Sequence, residues 1–134
     1  MLMQLKIESD LENMSIVENA IDNLTNELGI NQDNYGKILI AVLEAVNNAI
    51  VHGNKSVLDK QVEIKFDFDK KNLMVKVTDE GNGFRPDQIP DPTKPENIEE
   101  LSGRGVFIMS KLADEIKFNN KGNSVELKFK NILT

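Results

Sequence analysis

The sequence predicts an α+β domain, because helical and strand periods both occur in it and occupy separate stretches of the chain. Apolar residues recur at three- and four-residue intervals in some segments and alternate with polar ones in others, the spacings of a helix face and a strand face. The chain's 134 residues are enough to bury one core and too few for a second catalytic module, so 1–134 is expected to be a single domain.

At the start, Leu2, Gln4 and Lys6 alternate with Met3, Leu5 and Ile7, which predicts a short strand. Ser9 and Asp10 offer an N-cap to an amphipathic helix carrying Met14, Val17, Ile21, Leu24 and Leu28, with Gly29 as its stop. A second helix is expected from Gln32 or Asp33, turning Ile38, Val42, Ala45 and Ala49 toward the core and ending by Gly53. Val62, Ile64, Phe66 and Phe68 alternate, as do Leu73, Val75 and Val77; the intervening 69–72 reads as a hairpin turn. Periodicity then lapses over 84–104, which holds all four prolines (Pro86, Pro90, Pro92, Pro95). Loops this long are usually functional, and a lid is expected here. A short helix from Val106 to Leu112 follows, then a second hairpin setting Ile116 and Phe118 against Val125, Leu127 and Phe129.

Composition narrows the chemistry. No cysteine is present, which excludes disulfides, thiolate metal sites and cysteine nucleophiles and suits a reducing cytoplasm. The first residues are too few and too charged for a signal peptide, and no apolar run reaches membrane-spanning length, so no membrane partner is expected. A net charge of -6 argues against nucleic acid as a partner, since phosphate-backbone binders rely on clustered Lys and Arg. The single histidine, His52, and the absence of tryptophan leave little scope for histidine-based metal sites or triads. His52 itself reads best as a cation-capable residue near a helix C-terminus, favoured by the dipole.

Three short segments carry chemistry. In the alanine-rich second helix Glu44 and Asn48 stand four residues apart, placing a carboxylate and a carboxamide on one face. A solvated polar stripe would have that spacing too. Half-buried, however, the pair is costly unless something binds it, and a hydrated magnesium ion with phosphates meets the need through one amide oxygen. The second segment runs Asp79-Glu80-Gly81-Asn82-Gly83 at the end of a core strand. A sheet-fixed carboxylate suits an adenine amino group, and glycines let a flat base approach the main chain. An Asn-Gly hairpin turn would look similar, but no strand follows it. The third segment, Ser102-Gly103-Arg104-Gly105-Val106, sets glycines and a guanidinium at the entrance of a helix, where N–H groups and the dipole favour phosphate.

Together, Glu44-x-x-x-Asn48-Ala49 with His52-Gly53, Asp79 to Gly83, Gly103-Arg104-Gly105 and a closing Gly122-Asn123-Ser124-Val125 resemble the N, G1, G2 and G3 boxes of the GHKL ATPase superfamily. The run from Gly103 to Glu115 looks most like the anti-sigma-factor serine kinases of the RsbW and SpoIIAB type. The resemblance implies a Bergerat-type two-layer α/β sandwich, with a mixed, mostly antiparallel sheet and helices on one face. It implies ATP and magnesium as cofactors, Asn48 as magnesium ligand, Glu44 as general base and Asp79 as adenine reader. Gly81, Gly83, Gly103, Arg104, Gly105 and Val106 would shape the pocket and lid. Ser124 enters the site with the last box, the side chain that holds the adenine-bridging water staying open between Asn123 and Ser124. Leu101 stands where sporulation members carry an arginine, leaving Arg104 as the nearby cation.

The implied function is an ATP-binding anti-sigma factor that phosphorylates a serine or threonine of an antagonist of the STAS type and regulates transcription by partner switching. A homodimer in the cytoplasm, with a sigma factor and that antagonist as partners, is implied as well. The alternative is an ATP-binding module that sequesters a sigma factor without phosphorylating anything.

Overall fold

Residues 3–81, 101–119 and 123–133 are described by the computed structural model. The chain runs β1 (Met3–Glu8), a 3-10 turn (Leu11–Asn13), α1 (Met14–Leu28), α2 (Gln32–Asn48), a π turn (Ala49–Gly53), β2 (Gln61–Asp69), β3 (Asn72–Thr78), α3 (Leu101–Leu112), β4 (Glu115–Phe118) and β5 (Ser124–Phe129).

Capping residues sit close to where the sequence suggests. Asp10 accepts from the Glu12 N–H at 3.0 Å and starts the 3-10 turn that leads into α1. Gly29 ends α1 at φ 73°, a left-handed conformation that glycine adopts without strain. Asn31 caps α2, its side chain accepting from the Asn34 N–H at 2.9 Å. Tyr35 joins the two helices: its hydroxyl donates to Asp22 at 2.5 Å, and that bond pushes the phenol above its ordinary pKa.

Among the described residues the strands form one five-stranded sheet in the order β1-β2-β3-β5-β4. Each of these pairings is antiparallel, where the resemblance implies a mixed, mostly antiparallel sheet. One helix between neighbouring strands gives a parallel pair, but the crossover from β1 to β2 holds two, which reverses the chain once more. The β2–β3 hairpin closes at Asp69 and Asn72 around Lys70 and Lys71, both at positive φ (51° and 70°). Two left-handed residues in succession are what a tight hairpin needs to match strand twist.

One face of the sheet and the helices enclose a single core. Val62, Ile64, Phe66, Leu73, Val75 and Leu127 contribute from the sheet, with Val17, Ile21, Leu24, Ile38, Val42 and Val46 from α1 and α2. Each such side chain contributes about 1.5–3 kcal/mol on burial. The opposite sheet face is polar, with Lys65 pairing Glu63 at 3.2 Å and Lys6 reaching the same carboxylate at 3.9 Å. This is the two-layer α+β arrangement the resemblance implies. Among the described residues, no helix is long and apolar enough to cross a membrane.

Candidate nucleotide site

Helix α2 presents Glu44 and Asn48 at its C-terminal end, both half-buried, and the chain passes at once into the π turn. The turn closes when the Asn54 N–H donates to the Ala49 carbonyl at 2.8 Å, five residues back. Single π turns often mark functional sites because they re-aim the residues that follow. Here the turn carries Gly53 to the end of β3. A Cβ built on Gly53 would collide with the Asp79 carboxylate, and one on Gly81 would collide with the Gly53 carbonyl. The Asp79 carboxylate therefore lies against the Gly53 main chain and the Gly53 carbonyl against Gly81, which only glycine at 53 and 81 permits.

Asp79 is fixed from several directions. Its Oδ1 accepts from the Gly81 N–H at 2.7 Å, and its own N–H donates to the Asn123 carbonyl at 2.9 Å. The Asn123 carboxamide returns a bond to the Asp79 carbonyl at 3.1 Å. On the far side the Glu80 N–H donates to Asn54 Oδ1 at 2.8 Å, and Glu80 accepts from the Gln61 N–H.

At the other end of the π turn, α3 leans on α2. A Cβ on Gly105 would lie 2.6 Å from Asn48 Nδ2 and 2.9 Å from its Oδ1, so the carboxamide rests directly over the α3 backbone. Gly105 is buried. The helix begins at Leu101, five residues before the expected Val106, so Gly103, Arg104 and Gly105 lie inside α3 rather than ahead of it. Glycine has low intrinsic helix propensity, but packing against Asn48 needs a residue without a side chain, and tertiary packing overrides propensity. The early N–H groups of α3 are those without intrahelical partners, the kind that can receive phosphate.

The structure thus joins segments distant in sequence: Glu44 and Asn48, the Gly53 turn, Asp79 with Gly81, and Gly105 with Val106 beside it. Gly83 and the expected lid up to residue 100 lie outside the described residues, as does Gly122. Arg104 is in α3, its side chain outside the description. Ser124 pairs with Thr78, whose hydroxyl lies 3.0 Å from its own, one residue out of phase with core-facing Val77 and Val125. Asn123, by strand alternation, shares the face of Asp79. His52 is exposed near the end of the turn, in keeping with the dipole reading. Sequence reasoning missed the structural parts of Gly53 and Asn54. The adjacent Gly-Asn was legible only as a helix stop.

The donor set fits Mg-ATP, because the Asn48 carboxamide over Gly105 carries an amide oxygen of the kind magnesium takes and the Asp79 carboxylate is held as a fixed acceptor. Asn48 and the early α3 amides stand at one end and a fixed carboxylate at the other. A two-layer sandwich with such a site belongs to the nucleotide-binding ATPase class. The model of the histidine kinase-like ATPase domain matches residues 7–129, and the chain belongs to that family.

Relatives agree. The serine-protein kinase RsbW of Bacillus subtilis (strain 168) is 29% identical over 123 residues, covering 87% of this chain and 77% of its own length. The anti-sigma F factor of Halalkalibacterium halodurans is 32% identical over 119 residues, covering 86% and 80%. Among solved structures, the RsbU and RsbW domains of a Mycobacterium tuberculosis protein superpose with TM-score 0.70 at 15% identity. That match covers 96% of this chain and 31% of the other. A histidine kinase domain from Erythrobacter litoralis gives TM-score 0.53 at 18% identity, over 91% and 59% of the two chains. These last two likenesses are of fold.

Proposed function

We propose that this chain is an ATP-binding anti-sigma factor with serine/threonine-protein kinase activity toward an antagonist protein of the STAS type. The observation that carries the reading is the meeting of Asn48 with Gly105 and of Gly53 with Asp79 and Gly81 around one turn of chain. Relatives named serine-protein kinase and anti-sigma F factor point the same way.

In this reading Asp79 accepts a hydrogen bond from the adenine amino group, its carboxylate seated against the Gly53 main chain that Gly81 in turn packs on. Asn48 offers its amide oxygen to magnesium, the early α3 N–H groups up to Gly103 and the Arg104 guanidinium receive phosphate oxygens, and Gly105 and Val106 shape the pocket beside Asn48. Bound Mg-ATP supplies the phosphoryl group and the metal's neutralising charge. Phosphoryl transfer asks the protein mainly for positioning and electrostatics. Glu44, one turn from Asn48, takes the proton from the partner's serine or threonine hydroxyl as that oxygen bonds the γ-phosphorus and the bond to the β,γ-bridging oxygen breaks, leaving ADP.

The whole chain acts as one ATPase domain, as a cytoplasmic homodimer that exchanges a sigma factor for its antagonist. The cysteine-free composition supports the location, and exposed Leu11 and Ile16 leave apolar surface near the start of α1 that a second copy could cover.

The test is incubation with labelled ATP and a candidate antagonist. Wild type should transfer label to a partner serine or threonine, and Glu44→Gln should keep ATP affinity while transfer falls by about 10²–10⁴-fold. Full transfer by Glu44→Gln would remove Glu44 from its role. No transfer by wild type to any antagonist would favour an ATP-gated binding module without kinase activity.

A further inference from the structure

Three polar side chains are buried among the described residues, Ser9, Asn54 and Ser124, and Asn54 is the most enclosed at 0% exposure. An enclosed carboxamide is costly unless its polar atoms are engaged. Asn54 engages all of its atoms. Nδ2 donates to Ser9 Oγ at 2.9 Å and to the Gln61 carbonyl at 3.1 Å, and Oδ1 accepts from the Glu80 N–H at 2.8 Å. Its main chain closes the π turn through the Ala49 carbonyl and accepts from the Val57 N–H at 3.0 Å. Ser9 is held in turn, its hydroxyl donating to the Lys60 carbonyl at 2.6 Å.

The important partner is the Glu80 N–H, because it belongs to the same peptide unit as the Asp79 carbonyl. That carbonyl accepts from Asn123 Nδ2 at 3.1 Å. One peptide plane is therefore gripped at both ends by asparagine side chains, Asn54 on its N–H and Asn123 on its C=O. A peptide unit is planar and rigid, so fixing both ends fixes the direction in which the preceding Cα projects its side chain. That Cα is the one carrying the Asp79 carboxylate. Asn123 is itself braced, its Oδ1 accepting from Asn119 Nδ2 at 2.8 Å.

We infer that Asn54 and Asn123 are positioning residues that clamp the 79–80 peptide, aim the Asp79 carboxylate and so set discrimination for the adenine 6-amino group. The inference rests on the reading that Asp79 accepts from that amino group. Neither asparagine touches the base in this account; each acts through Asp79. Because Asn54 also closes the π turn that begins one residue after Asn48, it ties the aim of the carboxylate to the end of the helix carrying Glu44 and Asn48.

The experiment compares the affinities of ATP and purine riboside triphosphate, which lacks the 6-amino group, for wild type, Asn54→Ala and Asn123→Ala. A site that hydrogen-bonds a group rejects the analogue lacking it, and wild type should favour ATP by at least about tenfold. In each variant ATP should weaken by about fivefold or more while the analogue changes by less than about twofold, collapsing the preference. A purely structural role would lower the melting temperature and weaken both nucleotides equally, and that result would overturn the inference. Equal affinities in wild type would overturn the Asp79 reading and the clamp with it. A wild-type preference that survives in both variants would overturn the clamp alone. Hydrogen exchange in wild type offers a check independent of any variant's folding. Glu80 is an exposed residue at a strand end, yet its amide should exchange as slowly as those of β3. Fast exchange there would contradict the grip of Asn54.

Discussion

Around Asp79 the site is held by hydrogen bonds from asparagine side chains and main-chain groups, whereas around Asn48 it is held by one helix backbone resting on a side chain of another. The first arrangement is directional. It fixes a single acceptor to within the tolerance of a hydrogen bond and is lost when one amide is lost. The second depends on volume, and any side chain at 105 would displace the carboxamide. The two ends suit different tasks: a base is read by one group at one angle, while phosphates and a hydrated cation need a surface of donors and a ligand at the right distance. Substitutions at the two ends should therefore fail in different ways.

The largest difference is expected from the acceptor itself. A ligand at about 100 times its Kd adds roughly 2.7 kcal/mol to the native state. Mg-ATP should raise the melting temperature of wild type accordingly, and Asp79→Asn should lose most of that shift while its unliganded melting temperature stays close to wild type. A full ATP shift in Asp79→Asn would break the contrast at its directional end.

Next come the glycines, which separate the ends more sharply. At Gly81 a Cβ meets the main-chain oxygen of Gly53, which cannot rotate away. Gly81→Ala should therefore cost about 1–3 kcal/mol in urea denaturation. At Gly105 the obstacle is the end of the Asn48 side chain, which can swing aside. Alanine is also the better helix former by about 1 kcal/mol. Gly105→Ala should thus match or slightly exceed wild-type stability and yet lose the magnesium-dependent part of its ATP affinity. Equal destabilisation by both changes would show that the ends are built alike.

The smallest effect lies away from both ends, at the β4 edge of the sheet. Glu115 bonds Lys130 at 3.3 Å and lies 3.6 Å from Lys128, and the hydrogen bond to Lys130 holds its carboxyl below the ordinary value of 4.5. A depressed folded-state pKa stabilises the protein above the unfolded value, and that contribution is lost as pH falls through the folded one. Urea midpoints measured from about pH 6 down to pH 3 should carry a small acid-limb component that Glu115→Gln removes. ATP affinity should not change.

The same contrast governs how much was legible in the sequence. Helical period located α1 and α2, and alternation located both hairpins, even though Lys70 and Lys71 supply none of the usual chemistry for a turn with two positive φ angles. Asp79 was legible because a core strand ends on it. The start of α3 was not, since two glycines in three residues argue against a helix until the Asn48 contact explains Gly105. Strand parity places Asn123 on the face of Val125, Leu127 and Phe129 and Ser124 on the other. Asn54 was not decidable at all. A buried asparagine after a helix-ending glycine has the same local pattern as a solvated turn residue, and only the approach of Ser9, Gln61 and Glu80 distinguishes them.

The claim that these two unlike ends form one adenine-nucleotide site is tested most directly by calorimetric titration of wild type with ATP and GTP, each with and without magnesium. ATP should bind with one-to-one stoichiometry per chain, more tightly with magnesium, and GTP should bind far more weakly because its six-position carbonyl cannot donate to Asp79. GTP binding as tightly as ATP, or ATP binding indifferent to magnesium, would contradict the account.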